Sequence, residues 1–265
     1  MEETLQPVNP FLEKYLAIRH NPDGAQVNTS TIKHPQSAIL REAGLDNVDC
    51  EKCDNTGQIP WMDENQIMHC RECECMKRRR SIRRLENSGL KKMVQKYSFD
   101  NYQTPNAEYI KIKAKAKEFV HTPAEWFFIC GKPGSGKTHV CTAICSSLLD
   151  AGWSLRYFLW RTDAAELKAM TTEREAYKKA MNKLRNAPVL YVDDLFKGSI
   201  SEGDVNLAFS ILNDRYNSSG KKTIISTELT INEISKIDDA IAGRIVERSK
   251  GFFLKAPDVN WRQLS

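Results

Sequence analysis

Residues 131–138 of this chain read G-K-P-G-S-G-K-T and fit the pattern G-x-x-x-x-G-K-[ST] of a phosphate-binding loop. The glycines of such a loop let backbone N–H groups close around phosphate oxygens, and the N-terminus of the following helix adds partial positive charge. Lys137 can reach the β- and γ-phosphates of a nucleoside triphosphate, and the Thr138 hydroxyl can bind Mg²⁺. The residues expected to contact the nucleotide here are Gly131, Lys132, Pro133, Gly134, Ser135, Gly136, Lys137, Thr138 and His139.

Two adjacent carboxylates, Asp193 and Asp194, come directly after the apolar run V-L-Y-V. At the carboxyl end of a buried strand, one carboxylate can hold Mg²⁺ through water and the next can orient or deprotonate the attacking water. The alternative is that both residues belong to a turn that caps the strand. The phosphate loop upstream favours the catalytic interpretation, in which Thr138 and Asp193 serve the magnesium ion.

Arg244 and Arg248 lie four residues apart in D-D-A-I-A-G-R-I-V-E-R, which places them on one face of a predicted helix. Arg244 is either an ordinary surface charge or a finger that reaches the γ-phosphate held by a neighbouring subunit. A fixed cation at that position would stabilise the charge that develops during phosphoryl transfer.

Five of the eight cysteines lie within one short segment: Cys50, Cys53, Cys70, Cys73 and Cys75. The C-x-x-C pair at Cys50 and Cys53 places two thiolates at a separation that suits tetrahedral zinc, and a second pair would close a structural site. Either Cys70 with Cys73 or Cys73 with Cys75 can supply that pair, and spacing alone slightly favours the former. His69 is a weaker candidate ligand.

A basic run follows directly, since residues 77–96 carry nine basic side chains and one acidic one. Ile82, Leu85, Leu90 and Met93 would give a pair of helices one apolar seam, interrupted near Gly89. The run is consistent with a solvated face, with a linker between domains, or with a surface that contacts nucleic-acid phosphates.

The elements that must position these residues alternate between strands and helices. The apolar run at 126–130 predicts a buried strand that leads into the phosphate loop, and residues at helical spacing follow it. Other predicted strands lie at 153–160, at the run ending in Asp193 and at 223–225, and predicted helices lie at 107–120, 163–184 and 203–217. This alternation predicts an α/β core with a parallel sheet flanked by helices and ligands at its carboxyl edge.

The composition is that of an ordinary soluble protein, with 265 residues, a net charge of +5 and no apolar run long enough to cross a membrane. The N-terminus is unlike a secretory peptide, and clustered cysteines beside a nucleotide site indicate a reducing cytoplasm. The other three cysteines are expected in the core: Cys130, Cys141 and Cys145.

Three regions are predicted along the chain. Residues 1–45 form an N-terminal extension that is either packed or a partner-docking arm. Residues 46–95 form a zinc-binding module with a basic helical linker, and residues 96–265 form the nucleotide-binding domain. Because the sequence stops at Ser265, we expect no C-terminal helical lid.

Taken together, these segments resemble one family. The cysteine cluster runs into R-E-C-E-C-M-K-R-R-R, and S-F-D-N-Y, W-F-F-I-C-G-K-P-G-S-G-K-T, V-L-Y-V-D-D, I-I-S-T-E-L-T and A-G-R-I-V-E-R follow in order. This order is similar to that of the bacterial and phage replicative-helicase loaders of the DnaC/DnaI type, AAA+ proteins grouped with the IstB-like ATPases. The resemblance covers about residues 47–265 and does not extend to residues 1–45.

The resemblance implies roles for individual residues. Lys137 belongs to Walker A, Asp193 and Asp194 form Walker B, and Arg244 stands where the arginine finger is expected. Sensor 1 at the end of the fourth core strand falls on Thr227 or Glu228, and we expect Thr227 to contact the nucleotide, since Glu228 would bring negative charge near the γ-phosphate.

The resemblance also implies that Cys73 and Cys75, rather than Cys70, complete the zinc site with Cys50 and Cys53. By the same resemblance the cofactors are ATP, Mg²⁺ and Zn²⁺, and the partners are a hexameric replicative helicase, single-stranded DNA and further copies of the chain.

The expected function is that of an ATPase that loads the helicase onto single-stranded DNA during replication initiation. Many AAA+ proteins have Glu where this chain has Asp194, and the shorter carboxylate suggests slow hydrolysis that acts as an assembly switch. The alternatives are an IstB-like transposition helper on duplex DNA and an adaptor that binds ATP but hardly hydrolyses it.

Overall fold

The computed structural model describes residues 50–65, 67–123 and 126–261, with the backbone alone for Arg78. The predicted N-terminal extension, residues 1–45, lies outside the described residues. The predicted boundaries between the three regions remain predictions.

The cysteine segment folds as a hairpin followed by two helices. Strand β1 (Gln58–Met62) pairs antiparallel with β2 (Met68–Glu72), and helices α1 (Cys75–Ser88) and α2 (Lys91–Lys96) come next. Gly89 ends α1 with φ at 82°, a left-handed conformation that glycine adopts without steric cost. The predicted interruption of the basic run therefore lies where Gly89 allows the chain to turn.

The rest of the described chain is an alternation of strands and helices. The strands are β3 (Trp126–Cys130), β4 (Leu155–Leu159), β5 (Val189–Leu195), β6 (Lys222–Thr227) and β7 (Phe253–Lys255). The helices are α3 (Ala107–His121), α4 (Lys137–Asp150), α5 (Trp160–Ala169), α6 (Arg174–Arg185), α7 (Glu202–Tyr216), α8 (Ile231–Ile237) and α9 (Asp239–Arg248).

These five strands form one parallel sheet in the order β4-β5-β6-β3-β7. Alternate residues of β3 enter different hydrophobic clusters, Phe128 on one face of the sheet and Phe127 on the other. Both faces are thus covered, which explains the continuous apolar run of this strand. The predicted fold class is confirmed.

The order of the strands determines how the predicted site residues meet. The phosphate loop leaves the carboxyl end of β3, and Asp193 lies near the carboxyl end of β5. Because β6 lies between these two strands, its last side chains must lie between the loop and the aspartate.

The helix predicted over 163–184 is wrong as a single element. It consists of α5, a short 3₁₀ segment at Met170–Thr172, and α6. The Thr171 hydroxyl donates to the Lys168 carbonyl at 2.8 Å, a local bond of the kind that competes with helix continuation.

The module that precedes the sheet is packed onto it. Leu90, between α1 and α2, is fully buried in the same hydrophobic cluster as Ile144 of α4 and Tyr191 of β5. A Cβ placed on Gly89 would lie 3.7 Å from Cβ of Tyr157 in β4, so the end of α1 contacts this edge strand closely. None of the described helices has both the length and the apolar character needed to span a membrane.

Candidate functional site

The phosphate loop forms a tight turn between β3 and α4. Gly134 and Gly136 have φ values of 77° and 84°, and Lys137 is the first residue of α4. Residues other than glycine rarely adopt these backbone angles, so the glycines are required for the loop to turn back over the helix N-terminus. This is the arrangement of strand, loop and helix that the sequence predicts.

Lys137 folds back over the loop and is largely buried. Its ammonium group donates to the carbonyls of Gly131 and Lys132 at 2.7 and 2.9 Å. Burial lowers the pKa of Lys137 below its usual value, and the nearby carboxylates of Asp194 and Glu228 oppose that shift. The ammonium is therefore held at the loop by bonds that a phosphate oxygen can replace.

Asp193 is the most heavily bonded carboxylate of the site. It accepts from Thr138 at 3.3 Å, Tyr191 at 2.7 Å, Tyr157 at 2.9 Å and also Ser226. Burial raises the pKa values of Tyr157 and Tyr191, so both hydroxyls keep their protons and act as donors. The structure thus brings Asp193 to Thr138, the pair predicted to serve Mg²⁺.

Asp194 occupies an irregular position at the end of β5. Its φ is 57°, and the pairing register between β5 and β6 shifts between Val192 and Leu195. Its N–H donates to the Ser226 hydroxyl at 3.1 Å. The bulge turns Asp194 away from the direction of Asp193 and into the cleft beside the phosphate loop.

Lys197 forms ion pairs with two carboxylates of that cleft, Asp194 and Glu228. The Lys197 ammonium lies 2.9 Å from the Asp194 carboxylate and 2.7 Å from the Glu228 carboxylate. Burial alone would lower the pKa of Lys197, but its bonds to Glu228 and Asp194 outweigh this effect and raise it. The sequence analysis did not identify Lys197, although a lysine three residues after the acidic pair was a visible signal.

Thr227 does not face the cleft. Its hydroxyl donates to the Leu195 carbonyl at 2.8 Å and accepts from Leu229 N–H at 3.1 Å, and the residue is fully buried. Ser226, one position earlier, contacts both Asp193 and Asp194, and Glu228 lines the cleft. Of the hydroxyls at the end of β6, the structure therefore places that of Ser226, and not that of Thr227, at the site.

The rim of the cleft is aromatic. Tyr97 and Trp261 line it beside the loop, and the backbone N–H of Trp261 donates to the Gly134 carbonyl at 3.1 Å. His139 lies 2.8 Å from the Asn101 side-chain oxygen and 3.0 Å from the Ser98 carbonyl. These contacts attach the S-F-D-N-Y segment to α4, which gives that motif a structural role at the nucleotide site.

Burial lowers the pKa of His139, while the Ser98 carbonyl opposes the shift and Lys113 reinforces it. The imidazole is therefore neutral at pH 7, and one ring nitrogen donates to its oxygen partners. His139 positions the segment before α3 and adds no charge to the phosphate site.

Arg244 lies outside this cleft. Its guanidinium donates to the Asn213 side chain at 3.1 Å and to the Ala240 carbonyl at 2.8 Å, and it lies 4.8 Å from the ring centre of Phe209. The structure therefore does not bring Arg244 to Lys137 or Asp193 within one chain.

A second chemical centre lies in the cysteine module. The sulfurs of Cys50, Cys53, Cys73 and Cys75 all lie within 4.8 Å of one another, and the pairs Cys50–Cys73 and Cys53–Cys75 are each 3.6 Å apart. Four thiolates around zinc at about 2.3 Å are about 3.8 Å apart in a tetrahedron, so this donor set fits zinc. Cys70 is exposed on β2 and is not part of the group.

Comparison with known proteins identifies the family. The family described as IstB-like ATP binding protein matches residues 50–250 of this chain. The chain belongs to the IstB-like ATP-binding family. The matched range includes the cysteine module and the nucleotide site.

Two curated relatives are similar to most of this chain. It is 33% identical over 213 residues to the uncharacterized protein YqaM of Bacillus subtilis (strain 168), and the match covers 73% of this chain and 64% of YqaM. It is 27% identical over 200 residues to the replicative helicase loader DnaC of Escherichia coli (strain K12), covering 72% of this chain and 79% of DnaC. The chain thus spans about two thirds of YqaM.

The fold agrees with a solved loader. The crystal structure of the DnaC helicase loader superposes with a TM-score of 0.53 at 25% identity, covering 63% of this chain and 99% of that one. The IstB-like core of this chain therefore has the AAA+ fold of that protein. The predicted resemblance to DnaC/DnaI-type loaders is confirmed.

We expect zinc content to separate the two candidate ligand sets. Wild-type protein should carry about one zinc ion per chain, and Cys75→Ser should lose it because three thiolates and a hydroxyl bind zinc less tightly. Cys70→Ser is the matched control and should retain the metal. Elemental analysis of the purified proteins measures both, and loss of zinc from Cys70→Ser with retention in Cys75→Ser would contradict the assignment.

Proposed function

We propose that this chain is an ATP-dependent loader that places a hexameric replicative helicase on single-stranded DNA during replication initiation. The observation that carries the proposal is the nucleotide cleft, in which Lys137, Thr138 and Asp193 lie together in a chain whose fold and sequence are those of a DnaC-like protein. The similarity to DnaC, a replicative helicase loader, supports the choice of helicase loading among the activities of this fold.

The cleft supports binding of Mg·ATP by residues of one chain. The N–H groups of the loop and the Lys137 ammonium bind the phosphates, and Thr138 with Asp193 holds the metal, which would offset charge on the β- and γ-phosphates. Asp194 then orients water for attack. Because Asp194 forms an ion pair with Lys197, hydrolysis requires that this pair be loosened or redirected, which is consistent with slow turnover.

Self-assembly would complete the site. Among the described residues, Lys137 and Lys197 are the lysines that line the cleft, and no arginine lines it. Arg244 lies elsewhere, on α9. In this proposal Arg244 enters the cleft of a neighbouring copy when ATP is bound, and hydrolysis then releases the contact. ATP would in this way control loader–loader contact and the hold on the helicase.

The cysteine module would have a structural role near the helicase. Zinc bound by Cys50, Cys53, Cys73 and Cys75 would hold the hairpin against α1, since so short a segment has too small a core of its own. Trp61 and Ile67 are exposed on this hairpin, at 48% and 55%, and provide apolar contact area for a partner protein. The proposal assigns helicase docking to this module together with residues 1–45.

One observation favours a second candidate function. The ion pair between Lys197 and Asp194 would keep the water-activating carboxylate occupied, and a chain in which it persists with ATP bound would act as a non-hydrolysing adaptor. An IstB-like helper on duplex DNA shares the same fold, but the cysteine module resembles that of the loaders.

Turnover measurements test the proposed function. Purified chain should hydrolyse ATP slowly and should change its rate at least several-fold when its helicase and single-stranded DNA are both added. Asp194→Asn should bind ATP normally but lose turnover by about 10²-fold or more, since it lacks the charge that orients or deprotonates water. Lys137→Ala should lose ATP binding.

The same variants separate the alternatives. If Asp194→Asn still loads helicase while Lys137→Ala does not, binding alone suffices and the adaptor is correct. Stimulation by long duplex but not by single strands would favour the transposition helper. No response to either DNA or helicase would count against loading altogether.

A matched pair at the end of β6 tests which hydroxyl serves the site. Ser226→Ala should lower turnover about tenfold or more, because it removes the bond that Ser226 donates to the Asp193 carboxylate and the bond that it accepts from the Asp194 N–H, and a loss of about 1.4 kcal/mol is a factor of ten. Thr227→Ala should instead lower the free energy of unfolding by about 1–2 kcal/mol with nearly normal turnover. Steady-state kinetics and urea unfolding distinguish them, and the reverse pattern would restore Thr227 as the sensor.

A further inference from the structure

A basic cleft of about 480 Å³ lies between the cysteine module and the sheet. Its cationic side chains come from three elements: Arg80, Arg83 and Arg84 of α1, Arg156 of β4, and Lys183 of α6. We use the term basic cleft for the space between these five residues.

The basic cleft lies at the opposite end of the sheet from the phosphate loop. It is bordered by Leu155, the first residue of β4, and by Pro188, which directly precedes β5. The phosphate loop lies at the carboxyl ends of the parallel strands, so the basic cleft is at their amino ends. A ligand there would not compete with the nucleotide for space.

The cations of the basic cleft are largely without acidic partners. Arg80 pairs with Glu72, but no carboxylate among the described residues forms an ion pair with Arg83, Arg84, Arg156 or Lys183. The Nε–H of Arg84 is also buried and has no hydrogen-bond partner in the described part of the chain. The same guanidinium donates from Nη2 to the Ser81 hydroxyl at 2.9 Å, a neutral partner, so the charge of Arg84 has no counter-ion in the described part of the chain.

The convergence of these charges is not expected of a solvated face. Like charges gathered around one concave surface repel one another, and the low-dielectric walls of a cleft strengthen the positive potential inside it. An anion with several charges removes this repulsion and gives each cation a partner. The placement of α1 against the sheet, which depends on Leu90 and Gly89, therefore has a consequence beyond packing.

The lining also indicates the chemistry of the ligand. It contains no aromatic side chain among the described residues, so bases have no stacking surface, while the polar side chains of Asn87 and Asn186 are available to phosphate oxygens. Cations from three elements suit an extended polyanion better than a single phosphate. We infer that the basic cleft binds the phosphodiester backbone of DNA without reading its sequence, where the choice of DNA rests on the proposed function.

The test is DNA binding by the full chain without helicase, measured by fluorescence anisotropy at several salt concentrations. The slope of log K against log salt is negative, and each phosphate contact that is lost should make it shallower by about 0.7 for a single strand and about 0.9 for a duplex. The variant Arg83→Ala/Lys183→Ala should therefore make this negative slope shallower by about 1.4 on single strands or about 1.8 on duplex. The larger effect on one form identifies the DNA that the basic cleft holds.

Two controls keep the result specific. Lys111→Ala/Lys250→Ala removes the same charge from exposed positions outside the cleft and should leave the slope within about 0.3 of wild type. Arg156→Ala is an independent variant on β4 and should make the slope shallower by about 0.7 on single strands. ATP affinity, measured on each variant, should stay at the wild-type value and so report an intact fold.

An unchanged slope in both cleft variants would overturn the inference, as would a wild-type chain that binds neither form of DNA. Displacement of DNA by millimolar inorganic phosphate at constant ionic strength would also overturn it, since the site would then be one for a small anion. Failure of helicase loading with the expected slopes would reject only the proposed function. Successful loading with unchanged slopes would reject only the basic cleft.

Discussion

The carboxylate of Asp193 is the interaction on which the site depends. It is buried, and a buried charge is tolerated only where hydrogen bonds replace the lost water. Its four hydroxyl donors come from β4, β5, β6 and the helix after β3, so the bonds are complete only when these elements are in the observed order. The charge required at the nucleotide site thereby also specifies how the sheet is assembled. Asp194, the next residue, lies in the bulge between Val192 and Leu195, which directs it into the cleft.

The same bonds connect the nucleotide site with the module before the sheet. Tyr157 donates to Asp193 from β4, and its backbone neighbour Arg156 belongs to the basic cleft. The end of α1 lies close to the same residue, since a Cβ placed on Gly89 would be 3.7 Å from Cβ of Tyr157. The end of α1, one side of the basic cleft and one donor to Asp193 therefore meet at the same edge strand, although they are far apart in the sequence.

Local patterns were enough to predict the centre of the site, and long-range order decided the rest. The strand at residues 126–130, the loop after it and the acidic pair at Asp193 follow from apolar runs and glycine spacing, which are properties of neighbouring residues. The donors to Asp193 could not be predicted, because Tyr157 and Ser226 reach it only through the strand order. Ser226 and Thr227 are both small hydroxyl residues that face opposite sides of β6, so composition does not tell them apart. Spacing alone slightly favoured Cys70 over Cys75, and this preference is wrong because Cys70 lies exposed on the hairpin while Cys75 joins the other three sulfurs.

The central claim is that the phosphate loop of one chain forms only half of a site, which Arg244 of a neighbouring copy completes. Mixing two inactive variants tests this directly. Arg244→Ala keeps Lys137 and its own cleft, and Lys137→Ala keeps Arg244, so a mixed assembly contains some interfaces with every required group. We predict that each variant alone loses about 10²-fold or more in ATP turnover, and that an equimolar mixture regains a substantial part of the wild-type rate. A mixture no more active than the sum of its components would contradict the account.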